Sequence, residues 1–373
     1  IENVDKTPGL SNEKKALYKA EAKFLVGYYH FLLARMYGPI IIQQGVADIE
    51  MDATGYPARS SYDECVTFIV NTLDEAATGL PPRPISPNEY GRATSIAAKS
   101  IKARMLLYAA SPLFNGGGES GASFYTNFKT ADGKDLIPTI YDREKWKKAA
   151  DAAKEAITLA ESNGYQLYHY NSSVGSDLPA NPVEKDLRFT IIDKNSPEII
   201  FADTRREGIY DFQNKSTPFI QGTSWNGIAP TLTMVEQFYT KNGLPIDKDP
   251  EFNFADRYTI ANGPNGTTLA LNLNREPRFE AWIAYHNSYY EITRGSQKRM
   301  LVKFRKNDPQ GIQGRSNNYS PTGYLNKKGV HPLLVQDQLS VTQHYPWPVV
   351  RLAELYLNYA EALIEYGEDF ATA

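Results

Sequence analysis

Apolar residues recur at helical spacing in four segments before residue 165 and in one segment after residue 345, and nowhere as strongly in between. Amphipathic helices of this kind gain most of their stability by burying that face against a partner. The first segment, 11–37, has Ser11 as N-cap, a stripe at Phe24, Leu25, Tyr28, Phe31 and Leu32, and a stop at Gly38-Pro39. The second opens on Ser61-Tyr62-Asp63-Glu64, a capping-box pattern, and runs through Cys65, Phe68, Ile69, Leu73, Ala76, Ala77 and Leu80 to Pro81-Pro82. The third, 94–110, places Ala97, Ile101, Met105 and Tyr108 on one face and closes at Pro112. The fourth follows Asp142, with Trp146, Ala149, Ala150, Ala153, Ile157 and Ala160 in line and Gly164 as a C-cap. Its large residue followed by small ones suits close helix pairing of the tetratricopeptide kind, although the spacing of the segments keeps no clean period. The last segment, 350–366, carries Leu352, Leu355, Tyr356, Tyr359 and Leu363 and ends at Gly367. Its partner is either the earlier helices or a helix beyond the chain.

Residues 165–345 differ. Asn, Gly, Pro and Tyr accumulate, and only 231–239, with Thr231 as N-cap and Met234, Val235 and Phe238 behind it, reads as a helix. Runs at 198–202, 279–285 and 300–304 read as short strands. Connections this long in a compact protein generally carry function.

Composition removes several classes. Apolar residues make up 42% of the 373, too many for a disordered chain. Lys plus Arg number 40 against 43 Asp plus Glu, so there is no basic excess to drive nucleic-acid binding. The single cysteine, Cys65, cannot form an internal disulfide and reads as a small buried residue within its helix. No apolar run approaches the ~20 residues that span a bilayer.

Three strings resemble the SusD/RagB family, nutrient-binding lipoproteins on the outer face of the outer membrane of certain Gram-negative bacteria. They are EAKFLVGYYHFLLARMYGP at 21–39, AAKSIKARMLLYAASPLFN at 97–115 and RLAELYLNYAEAL at 351–363. The Trp146 helix, the 239–246 segment with Asn242-Gly243, and Glu276-Pro277-Arg278-Phe279 resemble it more weakly. Physically these strings read as scaffold: Ala353, Ala360 and Ala362 permit close packing, and Arg351, Glu354 and Glu361 are placed for buried pairs or loop caps.

The resemblance implies a mostly α, SusD-like fold. Degenerate tetratricopeptide helix pairs would occupy 1–164, a loop-rich ligand-binding region with short strands 165–345, and a returning scaffold helix 346–373. It implies a surface protein that captures an oligosaccharide or polysaccharide and delivers it to a SusC-like TonB-dependent transporter, without catalysis or cofactor. The membrane would be met only through an N-terminal lipid anchor outside this chain, which reads as an internal portion of a longer protein. The alternatives are a peptide-binding, RagB-like member and, less favoured, a glycoside-active enzyme.

Sugars stack their C–H faces on aromatic rings while amides and charged groups take the hydroxyls. Loop aromatics beside such groups are therefore the candidates: Trp225 and Asn226 in a Gly/Ser/Thr-rich loop, Tyr289 and Tyr290 ahead of Arg294, and Tyr258, with Tyr319 and Tyr324 behind them. Trp146 reads as core, Trp282 as packing against the helices, and Trp347 as packing ahead of the last helix. Glycosidase chemistry needs two carboxylates at a set separation, and no motif singles out a pair. The five histidines show no HExxH spacing. Asp247, Asp249 and Glu251 alternate as hard donors but lack the EF-hand pattern, so they read as a solvated turn.

Overall fold

The structure, a computed structural model, describes residues 1–373 apart from 2, 49, 53–54, 209–210, 338–339 and 368–373. Among the described residues the helices are α1 (Asn12–Tyr37), α2 (Tyr62–Thr78), α3 (Ser95–Ala110), α4 (Glu144–Ser162), α5 (Pro182–Ile192), α6 (Phe212–Ser216), α7 (Leu232–Gln237), α8 (Pro277–Trp282) and α9 (Leu352–Tyr366). None is long and apolar enough to cross a membrane. The strands are β1 (Ile199–Asp203), β2 (Ile260–Gly263), β3 (Gly266–Leu269), β4 (Ile283–Ala284), β5 (Tyr289–Tyr290), β6 (Met300–Leu301), β7 (Leu325–Asn326), β8 (Val335–Gln336), β9 (Ser340–Val341) and β10 (Trp347–Arg351). They form only two-stranded pairs: β1 with β10, β2 with β3, β4 with β7, β5 with β6 and β8 with β9. The molecule is thus mostly helical with scattered short strands. Its contacts divide it into two units, one of Ile1–Leu167, Pro197–Asp203 and Pro348–Ala373, the other of Tyr168–Ser196 and Thr204–Trp347.

In the first unit α1 packs on α2, α2 on α3, α3 on α4, and α4 on α9. The helix ends follow from capping. Ser11 accepts from the Lys14 amide, Ser61 and Glu64 close a full capping box on α2, Thr94 accepts from the Ala97 amide, and Gly367 takes a left-handed conformation after α9. The core is aromatic and alanine-rich. Phe24 meets Phe201 edge-on at 5.3 Å, and Tyr62 stacks on Phe114 at 4.1 Å. Ala110, Trp146, Ala149 and Ala150 pack with Ala362 and Leu363. Cys65 is buried in this core, and burial pushes its thiol up.

Polar residues of the scaffold strings join the same elements. Arg104 of α3 makes a two-pronged pair with Glu354 of α9 and donates to the Val349 carbonyl at 2.8 Å. Arg351 pairs with the buried Glu198 just before β1. Buried Asn115 donates to the carbonyls of Ala110 and Asp142 and accepts the Asp142 amide, setting the chain's approach to α4.

The second unit carries buried charged side chains among its apolar clusters. Arg275 is buried and donates to the carbonyls of Leu271 (2.6 Å), Val235 (2.8 Å), Phe238 (2.7 Å) and Tyr239 (3.3 Å). Arg188 donates to the Val330 and Ala281 carbonyls and pairs with Glu291, which also pairs with Lys327. Here two sequence expectations need correction. Residues 279–285 are not one strand: Pro277 starts a helix, α8, that buries Phe279 and Ala281, and only Ile283 and Ala284 are extended and paired. The 300–304 run is extended only at Met300 and Leu301. The region also holds α5, opened by Asn181 as N-cap and Pro182 in the first turn.

Candidate functional site

The loop carrying Trp225 is rigidly built. Ile220 and Ser224 bridge across a turn, and Asn226, at φ 55°, is completely buried. The Asn226 side chain accepts from the Phe219 amide (3.1 Å) and donates to Gln310 Oε1 (2.6 Å) and the Asn318 carbonyl (2.9 Å). This network fastens the loop to the 305–320 segment, where a Cβ at Gly311 or Gly314 would sit 1.9 Å from a backbone oxygen. Trp225 follows as a half-buried residue whose amide donates to the Asn214 carbonyl.

Tyr289 and Tyr290 lie on β5 and point to opposite faces, as successive strand residues must. Tyr290 is fully buried; its hydroxyl reaches the Asn326 carbonyl at 2.7 Å and that of Ser216 at 3.2 Å, and burial pushes its phenol up. Tyr289 is half-buried beneath the Arg299 guanidinium, 3.9 Å from the ring centre. Arg294 is exposed in a turn closed by its own amide and carbonyl with Gln297. Tyr258 is 46% exposed; its hydroxyl donates to Glu236, which also pairs with Arg257. Those two hydrogen bonds hold the Glu236 carboxyl below its usual range, that from Tyr258 acting most strongly.

The six residues therefore fall into different settings. Trp225, Asn226 and Tyr290 converge on the 214–217 segment, Tyr289 lies beneath Arg299, Arg294 lies at a turn, and Tyr258 is bonded to Glu236 of α7. Asn226 and Tyr290 have no surface to offer a ligand, because their polar atoms hold the interior together. Trp225, Tyr289, Arg294 and Tyr258 keep accessible surface. Of the lesser candidates, Tyr319 is half-buried, while Tyr324 is buried with its hydroxyl on Asn272.

Trp146 is core. Trp347, by contrast, is 46% exposed and meets Phe212 edge-on at 5.3 Å. Trp282 does pack, its indole N–H donating to the Leu187 carbonyl at 3.1 Å, but it also lines a cleft of about 250 Å³ with Phe238, Arg278 and Lys328. The signal for that second role was the Pro277 helix start, which places Trp282 at a helix end rather than within a strand. A second cleft of about 250 Å³ lies over Ile260, Leu269, Phe304 and Tyr324. Asp249 is no open cation site: its oxygens accept from Thr240, Asn242 and the Glu251 amide, and Glu251 pairs with Lys241.

A family model described as SusD family matches residues 197–372, and one described as starch-binding, associating with outer membrane, matches residues 1–107. No curated protein matches the chain. The solved structure BT4246 is 31% identical with a TM-score of 0.84, over 97% of this chain and 66% of that one. Its selenomethionine form gives 31% and 0.81, over 98% and 67%. The SusD-like protein BF3747 from Bacteroides fragilis NCTC 9343 gives 21% and 0.70, over 98% and 60%. The SusD-like carbohydrate-binding protein BF0978 from the same organism gives 19% and 0.64, over 98% and 58%. The chain thus spans about two thirds of BT4246 and less of the other two.

Proposed function

The chain belongs to the SusD/RagB family, and from that premise we propose that its protein captures a glycan at the outer membrane and hands it to a SusC-like TonB-dependent transporter. The observation that carries this reading is the match of residues 1–107 to a family described as starch-binding and outer-membrane-associating. The likeness in fold to a SusD-like protein described as carbohydrate-binding points the same way. The role is one of binding, and no residue is assigned to catalysis. In the whole protein, lipid anchoring at the cell surface would hold it beside the transporter.

The second unit has the physical means. A sugar-binding platform needs aromatic faces that do not move and polar groups at their edges. Trp225 stands on a loop locked by Asn226, and Tyr289 on a strand locked by Tyr290, so the two buried members position the two accessible ones. Arg294 and Tyr258 supply further polar contacts.

Titration of the protein with a panel of neutral and acidic polysaccharides, by affinity electrophoresis and calorimetry, tests the reading. One glycan class should bind, and Trp225→Ala should weaken it about tenfold, the size of one lost ring contact. Binding retained in that variant would move the platform away from Trp225. A peptide mixture binding in place of every glycan would overturn the reading.

A further inference from the structure

Charge is unevenly spread along the chain. Residues 292–326 hold seven Lys and Arg, at 294, 298, 299, 303, 305, 306 and 315, against one acid, Asp308, although the whole chain has a net charge of −3. Part of this segment is an extended arm. β6 pairs with β5, and the pairing runs on past it: the Val302 amide donates to the Ser288 carbonyl, the Asn287 amide to the Val302 carbonyl, and the Phe304 amide to His286 Nδ1. Side chains of an extended chain alternate between two faces. Val302 and Phe304 are buried, whereas Arg299, Lys303 and Arg305 are exposed. Tyr289, opposite Leu301, belongs to the same outward face.

These three cations are not neutralised. None has a carboxylate within ion-pair distance among the described residues. Arg299 lies 3.9 Å from the centre of the Tyr289 ring and its N–H groups meet no acceptor there. The Lys303 ammonium has no partner among the described residues, and Arg305 spends one Nη on the Thr267 hydroxyl at 2.7 Å. The neighbouring acids are engaged elsewhere. Asp308 accepts the Arg305 amide at 2.8 Å and stands 3.4 Å from His286 Nδ1. Glu291 is buried on Arg188 and Lys327, Asp177 pairs with Lys298, and Asp337 accepts the Gly295 amide in the turn that carries Arg294.

Apolar surface flanks the cations. The Tyr289 ring lies at one end, and at the other Arg305 and His286 border the cleft over Ile260, Leu269, Phe304 and Tyr324. Alternate residues of an extended chain lie about 7 Å apart, so one small anion cannot meet all three cations. A chain of sugars with an anionic group on successive residues can. We propose that the face formed by Arg299, Lys303 and Arg305 is a docking strip for a glycan that carries repeated carboxylate or sulfate groups. The proposal rests on the glycan-binding reading and narrows it to polyanionic glycans.

The test is calorimetric titration of the full chain with polygalacturonate and its methyl ester, dextran sulfate and dextran, a neutral oligosaccharide panel and poly-glutamate. Polygalacturonate or dextran sulfate should bind, its uncharged counterpart should bind about tenfold or more weakly, and added salt should loosen the complex. Which of the two binds distinguishes carboxylate from sulfate. Combining Arg299→Gln, Lys303→Gln and Arg305→Gln should lower the affinity about tenfold or more. Lys303→Gln alone, at a side chain without partners, should lower it about threefold and carries the comparison if the triple variant melts early. The control removes as many charges from exposed lysines of the first unit, by Lys14→Gln, Lys148→Gln and Lys154→Gln, and should change the affinity less than about twofold. Equal losses in the two triple variants, or equal binding of a glycan with and without its charges, would refute the strip. A neutral glycan bound alone would refute it too and leave the glycan reading standing. Poly-glutamate bound as tightly as either polyanion would overturn the assignment to glycans. Binding of no saccharide at all would remove the broader reading and the strip with it.

Discussion

A phenol hydroxyl in an apolar interior must find partners, and the partners identify its task. Tyr290 meets two backbone carbonyls, so Tyr290→Phe should lower stability by about 1–2 kcal/mol in urea unfolding, and any loss of glycan affinity through Tyr289 should come with that destabilisation. A fall in affinity with stability preserved would contradict the placement. His331 tests burial in another way. It is buried, accepts the Leu333 amide through Nδ1, and is pushed down to about 4 by burial and, secondarily, by the Arg188 charge. The unfolded chain takes up this proton near pH 6.5, whereas the folded chain refuses it until about pH 4. Stability should therefore fall as pH drops through that window, by about 3 kcal/mol for this residue alone. Glu184 and Glu280, raised by burial, act with the opposite sign. The His331 share is thus read as the difference between the protein and His331→Asn, whose pH slope should be flatter. A sequence displays neither burial nor partners at this scale. Trp225-Asn226 and Tyr289-Tyr290 were legible as aromatic and amide pairs, but which member faces solvent is decided by contacts with the 214–217, 305–320 and 325–326 segments.

Helix ends are where local chemistry is strongest, and α1, α2, α3 and α9 end where their caps and glycines direct. On α2 the Ser61 hydroxyl accepts the Glu64 amide and the Glu64 carboxylate accepts the Ser61 amide. Ser61→Ala should cost about 1 kcal/mol, measured by the shift in the denaturant midpoint. A shift confined to experimental error would mean that tertiary packing alone sets that end. The same logic explains what was missed. Pro182 and Pro277 sit in the first turns of α5 and α8, where proline's lost N–H costs nothing. In a stretch rich in Asn, Gly and Pro those prolines read as loop punctuation, and aromatic content then made 279–285 look like a strand. At six residues, α8 is also too short for an amphipathic stripe to repeat.

At the scale of the molecule the chain enters and leaves each unit more than once, so neither unit is a contiguous stretch of sequence. The first unit needs its last piece: Ala362 and Leu363 cover Trp146, Ala149 and Ala150, and Glu354 neutralises Arg104. A fragment of residues 1–167 should lack a cooperative unfolding transition, and a peptide of residues 348–367 added in trans should raise its helicity by circular dichroism. Cooperative unfolding of the fragment alone, at the midpoint of the intact chain, would refute that dependence. The fold class was legible because both ends of the chain carry helix-scaffold strings. The pairing of Arg104 with Glu354 was not, since charge alone does not say which of 43 acids meets a given arginine.

That pairing also sets a timetable. Arg104 and Glu354 are 250 positions apart, and at ~5–20 residues per second the second is made about 10–50 s after the first. From the completion of α4 onward, α3 and α4 exist in that interval with one side uncovered, and contacts of such long range are slow to close even once α9 has been made. The nascent protein is therefore most exposed to aggregation before α9 emerges, and a chaperone that shields alanine-lined helix faces would act in that window.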